Sequence, residues 1–276
     1  MSHSSSGTQS GSVDVVADHQ GLLVSAIVPA RNEALCIAAV VRGLLALRDA
    51  QGQAVIAQVV VADNGSTDGT AQVAQAAGAK VVAVAEPGYG QACWAAVQAS
   101  YGQILIFVDG DGAVDASQAP QLIEAIHQGA DLAIGVRRSL APGAMTPPQR
   151  FGNSLACALM RLVWRMPVTD LGPYRAIRRD AFDALDMQDR AFGWTVEMQV
   201  RAHLLGMRVA ESPVHWHARV AGVSKISGTL RGVWGAGLGI LGMIARLWWR
   251  ERQRPPSLFS RTPLLVSRPS VPHHVP

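Results

Sequence analysis

Five short apolar runs punctuate the first half of the chain: LLVSAIV (22–28), AQVVVA (57–62), KVVAVA (80–85), QILIFV (103–108) and DLAIGV (131–136). Strands that are apolar along their whole length are buried on both faces. The stretches between them read as helices, one from about Glu33 to Arg48, one beginning near Thr70, one through GQACWAAVQAS, and one from about Ser117 to His127. Apolar strands joined by helical crossovers specify a three-layer α/β fold around a mostly parallel central sheet. In such sheets ligands bind beyond the carboxyl ends of the strands. The residues that follow each run therefore carry the functional reading.

Those residues are acidic. VVVADNGSTDGT (59–70) ends its strand on Asp63, and FVDGDGAVD (107–115) places Asp109 and Asp111 two apart around a glycine. Glu86 follows the third run, and Glu33 lies just behind the first. Two hard carboxylates at i and i+2 suit Mg²⁺ or Mn²⁺, which takes one or two carboxylates plus the phosphates of a substrate. Simpler readings exist for each acid. Asp109 and Asp111 can be a solvated Asp-Gly turn, Asp63 an Asx-turn, and Glu33 a first-turn partner of the helix dipole. Asp68 or Thr67 is expected to cap the helix that follows. Acids at four strand exits on one rim favour a ligand. GYGQACW lacks the third glycine of the dinucleotide fingerprint and follows the third run, which weighs against a dehydrogenase.

The chain of 276 residues is 49% hydrophobic and 16% charged, the balance of an apolar globular protein. Its net charge is +4 and no Lys/Arg run reads as a nucleic-acid tract, so no nucleic-acid partner is expected. Cys36, Cys93 and Cys157 lie far apart in apolar helical stretches and read as buried thiols. Residues 1–20 read as a flexible leader without the basic start and apolar core of a signal peptide. Residues 255–276, rich in Pro and Ser, read as a tail. Between these ends, residues 21–230 read as one domain. Residues 231–254 end in Trp248-Trp249 followed by Arg250, Arg252 and Arg254. That segment reads either as an interfacial helix at an anionic membrane surface or as a buried helix packed on the sheet. The expected location is cytoplasmic, with peripheral contact on the cytoplasmic face of the inner membrane.

VPARNEA, VVVADNGSTDGT, GYGQACWAAV, ILIFVDGDGAVD and TDLGPYRAIRRDAF together resemble the family 2 glycosyltransferases, which have the A-type glycosyltransferase fold. Within that family they look most like the polyprenyl-phosphate (dolichyl-phosphate) hexosyltransferases, over about residues 22–230. The resemblance implies a nucleotide-sugar donor, a UDP- or GDP-hexose, with Pro29, Arg31 and Glu33 lining the nucleoside pocket and Asp63 on the base. It makes Asp109 and Asp111 the metal-binding pair and Asp111 a catalytic residue. Ala113 stands where the dolichyl-phosphate mannose enzymes carry Gln, so Asp115 or water would complete the metal shell. The resemblance further implies an inverting reaction, a polyprenyl-phosphate acceptor held by Arg137, Arg150 and Lys225, and a role in cell-envelope synthesis; a homo-oligomer is compatible with all of this.

Arginine forks suit phosphate on physical grounds as well. Two further acids, Asp170 and Glu197, fall where the family keeps its acceptor junction and a catalytic acid. Their plainer readings are an Asp–Arg pair and a helix-surface pair of Glu197 with Arg201 at i+4. His215 and His217 alternate on a strand-like run and read as packing residues. A nucleotidyltransferase on a similar sheet and a non-catalytic sugar-nucleotide-binding, membrane-docking module are the competing functions. The former would want a glycine-rich basic loop after the first strand, where PARNEA stands.

Overall fold

The computed structural model describes residues 21–140, 144–217 and 230–253; Lys225 and both chain ends lie outside them. Seven strands form one sheet: β1 (Val24–Ala30), β2 (Gln58–Asp63), β3 (Lys80–Ala83), β4 (Ile104–Phe107), β5 (Leu132–Leu140), β6 (Arg175–Arg178) and β7 (Val209–Trp216). Their order is β3-β2-β1-β4-β6-β5-β7. β1 pairs in parallel with β2 and β4, β2 with β3, and β5 with β7, while β6 runs antiparallel to both β4 and β5. The sheet is thus mostly parallel, with one reversed strand in its interior.

Both faces of the central strands are covered. Ala26 and Val28 of β1 and Ile104 and Ile106 of β4 enter one apolar cluster, while Ile27, Leu105 and Phe107 enter another on the opposite face. Helices α1 (Ile37–Leu45), α2 (Thr70–Ala76) and α4 (Ala119–His127) cover the first face. Helices α3 (Tyr89–Gln98), α6 (Arg179–Leu185) and α7 (Trp194–Leu204) cover the second. There Phe107, Phe182 and Trp194 pack at tilted angles with ring centroids 6.0–6.3 Å apart.

A third cluster joins α5 (Pro147–Trp164), α7 and α8 (Leu230–Arg252) through Cys157, Met160, Val196, Met243, Ile244 and Leu247. One face of α8 therefore packs on the body of the protein. No helix among the described residues is long and apolar enough to cross a membrane. α5 starts where Pro147-Pro148 predicts, with Thr146 as N-cap in a capping box with Gln149.

Two local expectations are corrected. The first helix begins at Ile37, not Glu33, because Asn32 sits at φ 52 and residues 32–34 are tied to the loop after β2. The N-cap of α2 is Gly69 at φ 87, although Asp68 still accepts from the Thr70 amide at 3.1 Å.

Candidate active site

The carboxyl ends of β2, β1 and β4 lie side by side. Ala30 pairs with Asp63, and the Asn64 amide donates to the Ala30 carbonyl at 2.8 Å. On the other flank of β1, the Val108 amide donates to Ile27 O at 3.0 Å. A Cβ on Gly110 would stand 3.2 Å from the Ala30 Cβ and from Ile37 Cδ1. The Asp-Gly-Asp turn thus lies close against the end of β1, where a larger residue at 110 would press on Ala30 and Ile37. Two strand spacings put Asp63 and Asp109 roughly 10 Å apart across β1.

Loop chemistry fixes the rim. The Asn32 amide donates to Ser66 Oγ and the Thr67 amide to Asn32 Oδ1, at 2.8 and 2.7 Å. The Glu33 amide donates to Thr70 Oγ1 at 2.8 Å and the Ala34 amide to Asp68 Oδ2 at 3.1 Å. The polar run 64–70 thereby shapes residues 31–34. Asp63 is half-buried and its Oδ1 accepts from the Ser66 amide at 3.1 Å. Pro29 is buried in β1, Arg31 is exposed and Glu33 is half-buried.

Asp109 Oδ1 accepts from the Tyr89 hydroxyl at 3.1 Å, and buried Asp111 accepts from the Ala113 amide at 2.9 Å. Burial, then the Asp109 charge, push the Tyr89 phenol well above its ordinary range, so it stays protonated and donates. Asp115, which with water was the alternative for completing a metal shell, caps the short 3₁₀ turn at Ala116–Gln118, accepting from the Ser117 amide at 2.8 Å. Among the described residues no group of three His, Cys, Asp or Glu side chains is disposed to hold a metal ion. The acid pair can supply two oxygens, a set that suits an ion completing its shell from phosphates. His217 meets this region through its backbone: its amide donates to Ala113 O at 2.8 Å.

Further along the sheet, Asp170 is 4% exposed and grips Arg137. Arg137 Nε donates to Oδ2 at 2.8 Å, its Nη2 to Oδ1 at 2.6 Å, and its amide to Oδ2 at 2.9 Å. Burial raises the Asp170 pKa, but the hydrogen bonds and charge of Arg137 outweigh it and hold the carboxyl below its ordinary value. Asn153 of α5 accepts from both Arg137 Nη2 and the Leu171 amide, at 3.1 and 3.0 Å. The guanidinium also sits 5.5 Å from the Trp216 ring centroid. Nη1 is the nitrogen these hydrogen bonds do not use. Arg137, exposed Arg150, Asn153, Ser154, Thr169 and Asp170 line a cleft of about 400 Å³.

Glu197 is enclosed in a network of its own. It is 0% exposed, and its carboxylate accepts from the Gln188 amide at 3.0 and 3.1 Å and from the Asp189 amide at 2.7 Å. Arg201 Nε stands 2.9 Å from its Oε1. The i+4 pair exists but is buried, not on the surface, and a substrate would reach Glu197 only by opening this network. The catalytic acid expected there is thus enclosed, and its carboxylate holds the amides of residues 188 and 189. The segment 188–191 presses on the loop before α3, where a Cβ on Gly88 would fall 2.2 Å from Arg190 O and one on Gly90 2.7 Å from Asp189 O.

Three polar side chains at these places, Asn64, Tyr89 and Asn153, were not singled out from the sequence. Arg175, read from the sequence beside Asp170 at the acceptor junction, bonds elsewhere, since Asp170 pairs with Arg137. Asn64 bridges the Gly88 amide and carbonyl at 3.2 Å each, Tyr89 orients Asp109, and Asn153 orients Arg137. Arg175 is 1% exposed and donates to the Gly172 and Thr195 carbonyls at 2.7 and 2.8 Å, and burial lowers its pKa to about 10. Asn64 and Tyr89 both lie in the quoted motifs just after strands, and that position was the available signal.

Residues 25–185 match the family model described as glycosyl transferase family 2. An uncharacterized glycosyltransferase of Mycobacterium tuberculosis is 41% identical over 175 residues, covering 63% of this chain and 80% of that relative. An undecaprenyl-phosphate mannosyltransferase of Micrococcus luteus is 33% identical over 227 residues, covering 76% of this chain and 89% of that relative. Among solved structures, glucosyl-3-phosphoglycerate synthase from Mycobacterium tuberculosis in complex with Mn²⁺, UDP and phosphoglyceric acid is similar with a TM-score of 0.68 at 20% identity. The match covers 86% of this chain and 81% of that one, a likeness of fold.

Proposed function

Because this chain belongs to glycosyltransferase family 2 and has the A-type fold, we propose that it moves a hexose from a nucleotide-sugar donor to the phosphate of a polyprenyl phosphate. The observation that carries this reading is the single rim on which Asp63, the end of β1 and the Asp109–Asp111 turn stand side by side. One donor molecule can lie along it, with its base toward Asp63 and its diphosphate toward Asp109 and Asp111. Residues 31–33, shaped by the loop after β2, flank the nucleoside. Mg²⁺ or Mn²⁺ would be held by Asp109 and Asp111 and, when bound, neutralises charge on the leaving diphosphate. Tyr89 keeps the Asp109 carboxylate oriented toward the rim.

The acceptor half of the reading rests on the cleft beside Arg137 and Arg150. Asp170 and Asn153 fix the Arg137 fork, Nη1 and exposed Arg150 offer donors to a phosphate, and Lys225 is assigned to the same phosphate by resemblance. A phosphate is already ionised at neutral pH, so its oxygen attacks the anomeric carbon without a strong general base. Attack from the face opposite the departing diphosphate inverts that carbon. The enclosed positions of Glu197 and Asp170 agree with a reaction that asks for no such base. The name of the Micrococcus relative, and its 89% coverage, favour a lipid phosphate over a soluble one. Peripheral contact with the cytoplasmic face of a membrane and a part in envelope synthesis follow from such an acceptor.

The test incubates UDP- and GDP-hexoses with Mg²⁺ or Mn²⁺ and either a polyprenyl phosphate or a soluble phosphomonoester. Transfer to the lipid phosphate with release of nucleoside diphosphate is expected. Release of pyrophosphate would mark a nucleotidyltransferase, and transfer to the soluble acceptor alone would overturn the lipid assignment.

A further inference from the structure

We propose that α5 and α8 present one basic, apolar face that seats the protein on an anionic lipid bilayer, lying on the surface without crossing it. The choice of occupant rests on the reading of a lipid-borne acceptor; the surface itself is read from burial and charge. On α5, Phe151 and Leu162 are 70% and 77% exposed, and Leu155 between them is 36% exposed. Spacings of four and seven residues put all three on one face of the helix. The opposite face, Ala156, Cys157, Met160 and Trp164, is buried in the third core cluster. An exposed apolar stripe on a helix already packed on its other side marks a contact surface.

α8 repeats the arrangement. Leu241 is 37% and Trp249 61% exposed, eight residues apart, while Met243, Ile244 and Leu247 face inward. The two helices are joined at their far ends, where the Trp164 indole donates to Glu251.

The charges beside these stripes are predominantly positive; the one acid at this end, Glu251, is engaged by the Trp164 indole. No Asp or Glu occurs in residues 147–165, and Arg161 and Arg165 are exposed at the end of α5. Arg246 and Arg250 are exposed on α8. Apolar and aromatic side chains flanked by arginines match a headgroup boundary carrying anionic lipids. A second copy of the chain is a poorer fit, because a two-fold contact through this face would set arginines against arginines. The placement also has a use. The cleft lined by Arg150, Asn153 and Ser154 opens on the first turns of the same helix, so a docked bilayer brings its phosphates to that mouth.

Co-sedimentation with vesicles tests this without any substrate. The full chain is expected to bind phosphatidylglycerol-containing vesicles about tenfold better than pure phosphatidylcholine ones, and to be released by salt. Phe151→Glu combined with Leu162→Glu should lower that binding by about tenfold or more. Both sites are exposed, so Tm and sugar-nucleotide binding should stay unchanged. Equal binding to both vesicle types, no binding, or binding indifferent to the double substitution would overturn the proposal. So would a dimer in light scattering that the substitutions dissolve. Turnover of a short, water-soluble polyprenyl phosphate separates the two readings: its survival without vesicle binding sinks docking alone, and vesicle binding without turnover sinks the acceptor assignment alone.

Discussion

Acidic side chains stand on both sides of the sheet, but different donors hold them. Toward β2 and β4, the Ser66 amide, the Ala113 amide and the Tyr89 hydroxyl orient Asp63, Asp111 and Asp109. These three donors are neutral, and each directs one carboxylate oxygen. Toward β5 and α7, Asp170 and Glu197 are closed onto the guanidinium groups of Arg137 and Arg201. A buried carboxylate without a cation is costly, so pairing there is what allows burial at all. An acid closed onto a buried guanidinium shapes its surroundings; the acids at the strand ends are predicted to serve a ligand instead.

Breaking the strongest pair gives the largest effect. Arg137→Met leaves Asp170 buried without its counter-charge and should cost about 3–5 kcal/mol, read as a fall in Tm. Its pH dependence sharpens the point. In the native protein the Asp170 pKa lies below its unfolded value, so its contribution is whole above about pH 4 and fades as pH falls through the folded value. In the variant the guanidinium's contribution is gone and only backbone amides oppose the upward push of burial, so the acid dependence should weaken or reverse; denaturation across a pH series reads the change.

Next comes Asp111→Asn. Here kcat/KM for sugar transfer should fall about a hundredfold, or about 2.7 kcal/mol, with Tm little changed. A large Tm loss with modest loss of rate would place Asp111 among the structural acids.

Glu197→Gln should do the opposite, costing about 2 kcal/mol of stability while kcat changes less than about threefold. A hundredfold drop in kcat at unchanged Tm would restore Glu197 as a catalytic group and erase the comparison. The smallest effect is that of Tyr89→Phe, which removes one hydrogen bond from Asp109. Titration calorimetry with Mn²⁺ and a sugar nucleotide should show a loss of about 1 kcal/mol.

The parallel half was legible because strands apolar on both faces announce themselves, and Asp63, Asp109 and Asp111 follow them directly. The reversed strand was not. RAIR (175–178) is short, and only its long-range pairing with β4 and β5 defines it. The spacing of Glu197 and Arg201 was legible, but i+4 is the same on a surface and in a core. Burial came from the segment 188–191 folding over the pair, a contact that helical periodicity does not encode. Arg137 was visible as a basic strand end, but the depth of its engagement with Asp170, thirty-three residues away, was not.

β6 has a consequence for how this protein can be divided. β4 and β5 do not pair with each other; β6, contributed some forty residues after β5 begins, fills the slot between them and bonds to both. A polypeptide stopped at residue 140 would leave its fifth strand without either of its paired neighbours, β6 and β7, and would also lack the 188–191 backing behind Gly88 and Gly90. The donor side and the acceptor side are consecutive as text and interleaved as a solid, so neither can be lifted out and grafted as a self-standing part.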